Sequence, residues 1–90
     1  MRTAFRKSFE RDLKKLRKDR QLLRRIREVI EEVEAAGELK ELSSLKKLVG
    51  GSGQFYRFRL GDYRVGLEIE GTTAVFVRCL HRRDIYRYFP

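Results

Sequence analysis

Between residues 55 and 79 apolar and polar side chains alternate in three short runs, separated by Gly61-Asp62 and by Glu70-Gly71-Thr72. Alternation at period two marks strands with one face in a core. Glycine-bearing steps between such runs are hairpin turns. In the first run Phe55, Arg57 and Arg59 share one face, opposite Tyr56, Phe58 and Leu60. In the second, Arg64, Gly66 and Glu68 oppose Tyr63, Val65, Leu67 and Ile69. In the third, Ala74, Phe76 and Arg78 oppose Val75, Val77 and Cys79. Paired as a meander, these strands bring Arg57, Arg59, Arg64 and Arg78 onto one open face, with the apolar sets against the rest of the chain.

The period changes upstream. Phe9, Leu13 and Leu16 recur at helical spacing and predict a helix over about 9–17, with Ser8 as its N-cap and Glu10 in its first turn. Asp19 can cap a second helix, whose stripe is Leu22, Leu23, Ile26, Val29, Ile30 and Val33. Ala35, Ala36 and Gly37 end it, with Gly37 suited to the left-handed position. The two helices predict an antiparallel hairpin lying on the sheet. Thr3 and Phe5 predict a strand over residues 1–6 at the sheet's edge. Leu39, Leu42, Leu45 and Leu48 recur every three residues and predict a loose helical turn, with Lys46 and Lys47 pointing elsewhere. Gly50, Gly51, Ser52 and Gly53 read as a turn. They lack the preceding strand, following helix and Gly-Lys-Ser/Thr of a phosphate loop. Residues 81–90 allow about one turn of helix. The expected fold is α+β in one domain, 1–90: N-terminal strand, helical hairpin, three-stranded antiparallel meander.

Composition changes this picture in one respect. The 90 residues carry 22 Lys and Arg against 13 Asp and Glu, a formal net charge of +9. A small domain this basic meets phosphate, an acidic partner, or water alone as a solubilising charge. From Phe55 onward every basic residue except His81 is Arg. Its planar fork grips phosphate bidentately and stacks on bases, which solubility does not require. One Cys and one His allow no disulfide within the chain and no cluster of soft metal ligands. Cys79, among Val75, Val77 and Leu80, reads as a small core residue. Residues 1–11 have no apolar run, so no signal peptide is expected; no segment is long enough to span a bilayer, and the expected location is the cytoplasm.

Leu48 and Gly50, then Tyr56 with Arg57 and Arg59, then Gly61-Asp62-Tyr63-Arg64-Val65, and a closing His81-Arg82-Arg83-Asp84-Ile85-Tyr86 form a joint pattern. With the order of elements, it resembles the RelE/ParE superfamily of toxins. The resemblance spans the chain, and its specific motifs fall between residues 48 and 86. It implies the toxin of a type II toxin–antitoxin pair. RelE-like members cut messenger RNA in the A site of the 30S subunit, without metal or cofactor, and are held inactive by an antitoxin that wraps around them. ParE-like members share the fold and poison DNA gyrase. The resemblance further implies a monomeric free toxin that becomes hetero-oligomeric with its antitoxin, and no membrane partner. Matched by position, Arg57 and Arg59 take the place of the first strand's basic pair, where some members have Lys. Arg64 takes that of the Tyr-Arg arginine and Tyr86 that of the C-terminal tyrosine. Arg82 or Arg83 takes that of the last arginine.

Such cleavage needs a base for the 2′-hydroxyl, positive charge for the phosphorane and an acid for the leaving oxygen. Arg64, with Arg57, Arg59 and Arg78 around it, can clamp the phosphate. Arg59 and Arg64 are therefore catalytic candidates, and Arg57, Arg78, Arg82 and Arg83 candidates for binding RNA. Histidine is the side chain suited to proton transfer near neutral pH, so His81 can be acid or base, or simply a structural residue closing the strand. Tyr86 can stack on a base, donate a proton, or pack on the sheet. Lys46 and Lys47 can be base, phosphate contact or solvated surface. Asp62 and Asp84 are expected to orient arginines. A gyrase poison and an RNA-binding module without catalysis are the alternatives.

Overall fold

The computed structural model describes residues 1–49 and 53–90, so the turn expected at Gly50, Gly51 and Ser52 lies outside the described residues. Strands β1 (Arg2–Phe5), β2 (Leu45–Lys47), β3 (Phe55–Leu60), β4 (Tyr63–Glu70) and β5 (Thr73–His81) form one sheet, ordered β1-β5-β4-β3-β2. β3, β4 and β5 are the expected meander, and β1 runs parallel to β5. The hairpin loops are Gly61-Asp62 and Gly71-Thr72. Their glycines, at φ +58° and +61°, are the only left-handed positions among the described residues. A left-handed first loop residue matches the right-handed twist of the strands it joins.

Helix α1 (Lys7–Lys15) starts earlier than the apolar spacing predicts, with Arg6 at its N-cap. Ser8 does not cap it; its hydroxyl donates to the carbonyl of Val77 at 2.6 Å. Asp19 does cap α2 (Arg20–Ala35), accepting from the Leu22 amide at 3.1 Å. α2 leaves through extended backbone at Ala36, and Gly37 is not left-handed. Both helices lie on one face of the sheet, α1 along β5 and α2 across β1 and β3. Phe9, Ile26, Val33, Phe58, Val65 and Phe76 are at most 2 % exposed there. Each such burial stabilises the fold by roughly 1.5–3 kcal/mol. The helices leave a groove of about 620 Å³ between them, with Leu13, Leu23, Ile26 and Ile30 among its lining.

Two expectations are corrected. The leucine-spaced stretch is not a loose helical turn throughout: a 3-10 turn at Leu39–Glu41 is followed by the edge strand β2, antiparallel to β3. The third run does not alternate uniformly. Gly66 pairs with Arg78 but the next residue, Leu67, pairs with Phe76, leaving Val77 as a bulge. An extra residue reverses the phase of a strand on either side of it. Ala74 and Phe76 therefore join Cys79 in the core, while Val75 falls on the arginine face.

Candidate phosphate-binding face

Partners opposite each other across strands point to the same side. One rung on the side away from the helices reads Lys46, Arg57, Gly66, Arg78; the next reads Arg59, Arg64, Leu80. Arg57, Arg59, Arg64 and Arg78 do share a face. β2 adds Lys46 beside Arg57 and turns Lys47, opposite Tyr56, to the other face. Tyr63 pairs with His81 on the helix side, where their rings meet edge to face at 5.5 Å. His81 Nδ1 accepts from the Arg83 amide at 3.2 Å. His81 thus points to the opposite face of the sheet from Arg57 and Arg64, and lines a hollow with Asp12 and Tyr63.

The face is not fully open. The closing segment folds back over it through a single helical turn, α3 (Ile85–Tyr88), and buries Ile85 and Phe89. Arg57, beneath this cover, is only 6 % exposed, and Arg64 only 9 %. The Nε of Arg57 donates to the Tyr86 hydroxyl at 2.9 Å. Arg64 donates to the carbonyls of Gly61 at 2.7 Å and Tyr63 at 2.9 Å. Among the described residues neither arginine forms an ion pair with a carboxylate. Burial, then the charges of Arg59, Arg57 and Arg82, hold the Arg64 guanidinium below the ordinary arginine value, with Tyr86 acting the other way. A buried cation without a counter-ion is costly, and an arriving anion relieves that cost.

Arg78 stands apart. Its guanidinium binds both oxygens of Asp12 on α1, at 2.8 and 3.1 Å, and lies 5.5 Å from the Tyr88 ring centre. That pairing raises its pKa. Asp12 also accepts from the Cys79 amide at 2.9 Å, so it ties α1 to the stretch of β5 beyond β1. Asp12 is the functional neighbour that sequence reasoning missed. Its only signal was an acid on the same helix as Phe9 and Leu13. Arg82 is exposed and 3.8 Å from an equally exposed Asp62, too long for a hydrogen bond; Arg83 and Asp84 make no side-chain ion pair among the described residues. Arg59 is exposed and lines a hollow with Glu28, Glu32 and Ser44.

Residues 4–86 match the family described as ParE toxin of type II toxin–antitoxin system, parDE. The chain is 40% identical over 90 residues to Toxin RelE3 of Methanocaldococcus jannaschii, covering the whole of both. Its fold is similar to that of a RelB–RelE antitoxin–toxin complex from Methanococcus jannaschii, with TM-score 0.71 and 40% identity over 97% of this chain and 99% of that one. YafQ of E. coli, at 12% identity, shares the fold with TM-score 0.72 over 92% of this chain and 96% of its own. The toxin–antitoxin complex RelBE2 of Mycobacterium tuberculosis matches with TM-score 0.60 and 28% identity, over 90% and 96%. The chain belongs to the RelE/ParE superfamily of toxins of type II toxin–antitoxin systems.

Proposed function

We propose that this toxin is an endoribonuclease that cuts messenger RNA in the ribosomal A site without metal, and that a cognate antitoxin holds it inactive. The observation that carries the reading is the pair of buried arginines, Arg57 and Arg64, with no carboxylate bound to either among the described residues. In the proposed reaction the 2′-oxygen bonds to phosphorus and the bond from phosphorus to the 5′-oxygen breaks. Arg64 and Arg59 neutralise the phosphorane oxygens. Arginine keeps its proton, so proton transfer falls to other groups. The Tyr86 oxygen accepts from Arg57, which leaves its O–H free to donate to the leaving oxygen. Lys46 is on the same rung and, as its uncharged amine, is the proposed acceptor of the 2′-proton. His81, on the opposite face, has no step in this scheme, and Arg78 is committed to Asp12. Arg82 and Arg83 are left to grip flanking phosphates.

Binding in the A site would supply the bent substrate geometry that orients the attack. The antitoxin proposal is supported by similarity to two toxin–antitoxin complexes. It is also supported by the helical groove, whose apolar floor is rimmed by Lys14, Arg17, Arg27, Glu31 and Glu34. That floor suits an amphipathic helix.

The test is cleavage of message on programmed ribosomes and of naked message. Arg64→Ala should lower the rate by about 10²–10³-fold, the usual loss for one transition-state charge contact. Cleavage that persists in the variant would remove the arginine clamp, and no cleavage in either substrate would remove the nuclease reading. RNA binding without cutting would leave an RNA-binding module. The family match to ParE favours one other reading, inhibition of gyrase. A supercoiling assay run in parallel decides between the two.

A further inference from the structure

We propose that Gly66, Phe89 and the Asp12–Arg78 pair form a seat that positions the Tyr86 hydroxyl on Arg57; this rests on the reading of Tyr86 as a group of the active face. Three adjacent strands present Arg57, Gly66 and Arg78 on one rung. Each meets one aromatic residue of the closing segment. Arg57 donates to Tyr86, Phe89 lies over Gly66, and Arg78 lies by the Tyr88 ring.

The centre of the rung has no room to spare. A Cβ at Gly66 would stand 2.7–2.9 Å from three atoms of the Phe89 ring. The glycine is therefore required by close approach of a side chain, not by backbone conformation. Phe89 is 1 % exposed and meets Phe55 edge to face at 5.6 Å. Its amide donates to the carbonyl of Ile85 at 2.8 Å, fixing the turn that carries Tyr86. Asp12 sets the third point by gripping Arg78 with both oxygens.

A one-turn helix has no stability of its own. Tyr86 is 58 % exposed, so little packing holds its ring. The geometry of its hydroxyl thus depends on the seating of Phe89 three residues on. Gly66, Phe89, Arg78 and Asp12 act through Tyr86 and are positioning residues.

The experiment uses the whole chain labelled with fluorotyrosine, the Tyr86 signal being assigned with Tyr86→Phe. Gly66→Ala and Phe89→Ala are compared with the parent. In both, the Tyr86 fluorine signal should move to that of a solvent-exposed tyrosine. Exchange protection of the Arg87 and Phe89 amides should fall by at least about tenfold, while strand amides keep theirs. On ribosome-bound message, kcat should fall by up to about 10²-fold with KM little changed, as for a misplaced group that still binds. Phe89→Leu should restore part of each effect. In the Phe89→Ala background, Gly66→Ala should cost nothing further, because the ring it would strike is gone.

An unmoved Tyr86 signal with full amide protection in both variants would overturn the seat. So would an equal cost of Gly66→Ala in the two backgrounds. If the signal moves but kcat does not, the positioning role is overturned. If the parent itself cuts nothing, the nuclease reading falls, and the fluorine and exchange results still decide the seat.

Discussion

Asp12 accepts three hydrogen bonds at 4 % exposure, two from the Arg78 guanidinium and one from the Cys79 amide. Removing one partner of a buried ion pair strands the other. Because Arg78 keeps 22 % of its side chain in water, Asp12→Ala is expected to cost about 1–3 kcal/mol, chiefly for the unsatisfied Cys79 amide, read by denaturant unfolding. Asp12→Asn should cost less, since the amide can still accept one bond. Beside it, burial and then the Asp12 charge push the Cys79 thiol up to about 12 from an ordinary 9.0. A group that ionises later folded than unfolded gives stability below its unfolded pKa that is lost as pH rises. Unfolding free energy should fall from about pH 9 toward 12, and the difference from Cys79→Ala isolates this share. A thiol held so far up should also resist alkylation at pH 8 until the protein unfolds. Single residues were legible in the sequence where their chemistry was local. Asp19 capped α2 as read, and Arg57, Arg59 and Arg64 fell on one face. Asp12 was not legible, because its partner lies 66 residues away in β5.

Among the elements, the hairpins were the most legible, since glycine at the first loop position carries both turn and register. The two loop glycines allow a clean measurement. A Cβ at Gly71 would meet nothing within 4 Å, so Gly71→Ala reports backbone strain alone. At φ +61° it should cost roughly 1 kcal/mol or somewhat more in thermal unfolding. β2 was not legible. Three residues with two lysines show no alternation, and leucines spaced by three imitate a helical turn. Its lysines suit an edge strand, where charge discourages further pairing. Nor was α3's role: one turn of helix was foreseen, but not that Phe89 would cover the sheet, because nothing in the sequence links Phe89 to Gly66.

For the molecule as a whole, the charge of +9 predicts RNA affinity that falls steeply with salt. Each phosphate contact contributes about one unit of slope in a plot of log affinity against log salt. Arg64→Ala should lower that slope by about one, and Arg78→Gln by less, since Asp12 already neutralises Arg78. Filter binding to single-stranded RNA over a range of salt checks both.

The bulge at Val77 has a genetic consequence. β5 keeps two frames: even-numbered side chains enter the core at Ala74 and Phe76, odd-numbered ones at Cys79. Losing one codon elsewhere in the strand would slip one half against the other: with the bulge kept, Ala74 or His81 turns to the wrong side, and with it lost, Phe76 or Arg78 does. Losing the codon for Val77 would only merge the frames, leaving Phe76 inward and Arg78 outward. Cooperative unfolding should therefore survive deletion of Val77 and fail on deletion of Val75 or Cys79. Among the codons of β5, that of Val77 is where a lineage could shorten the strand and keep its two faces.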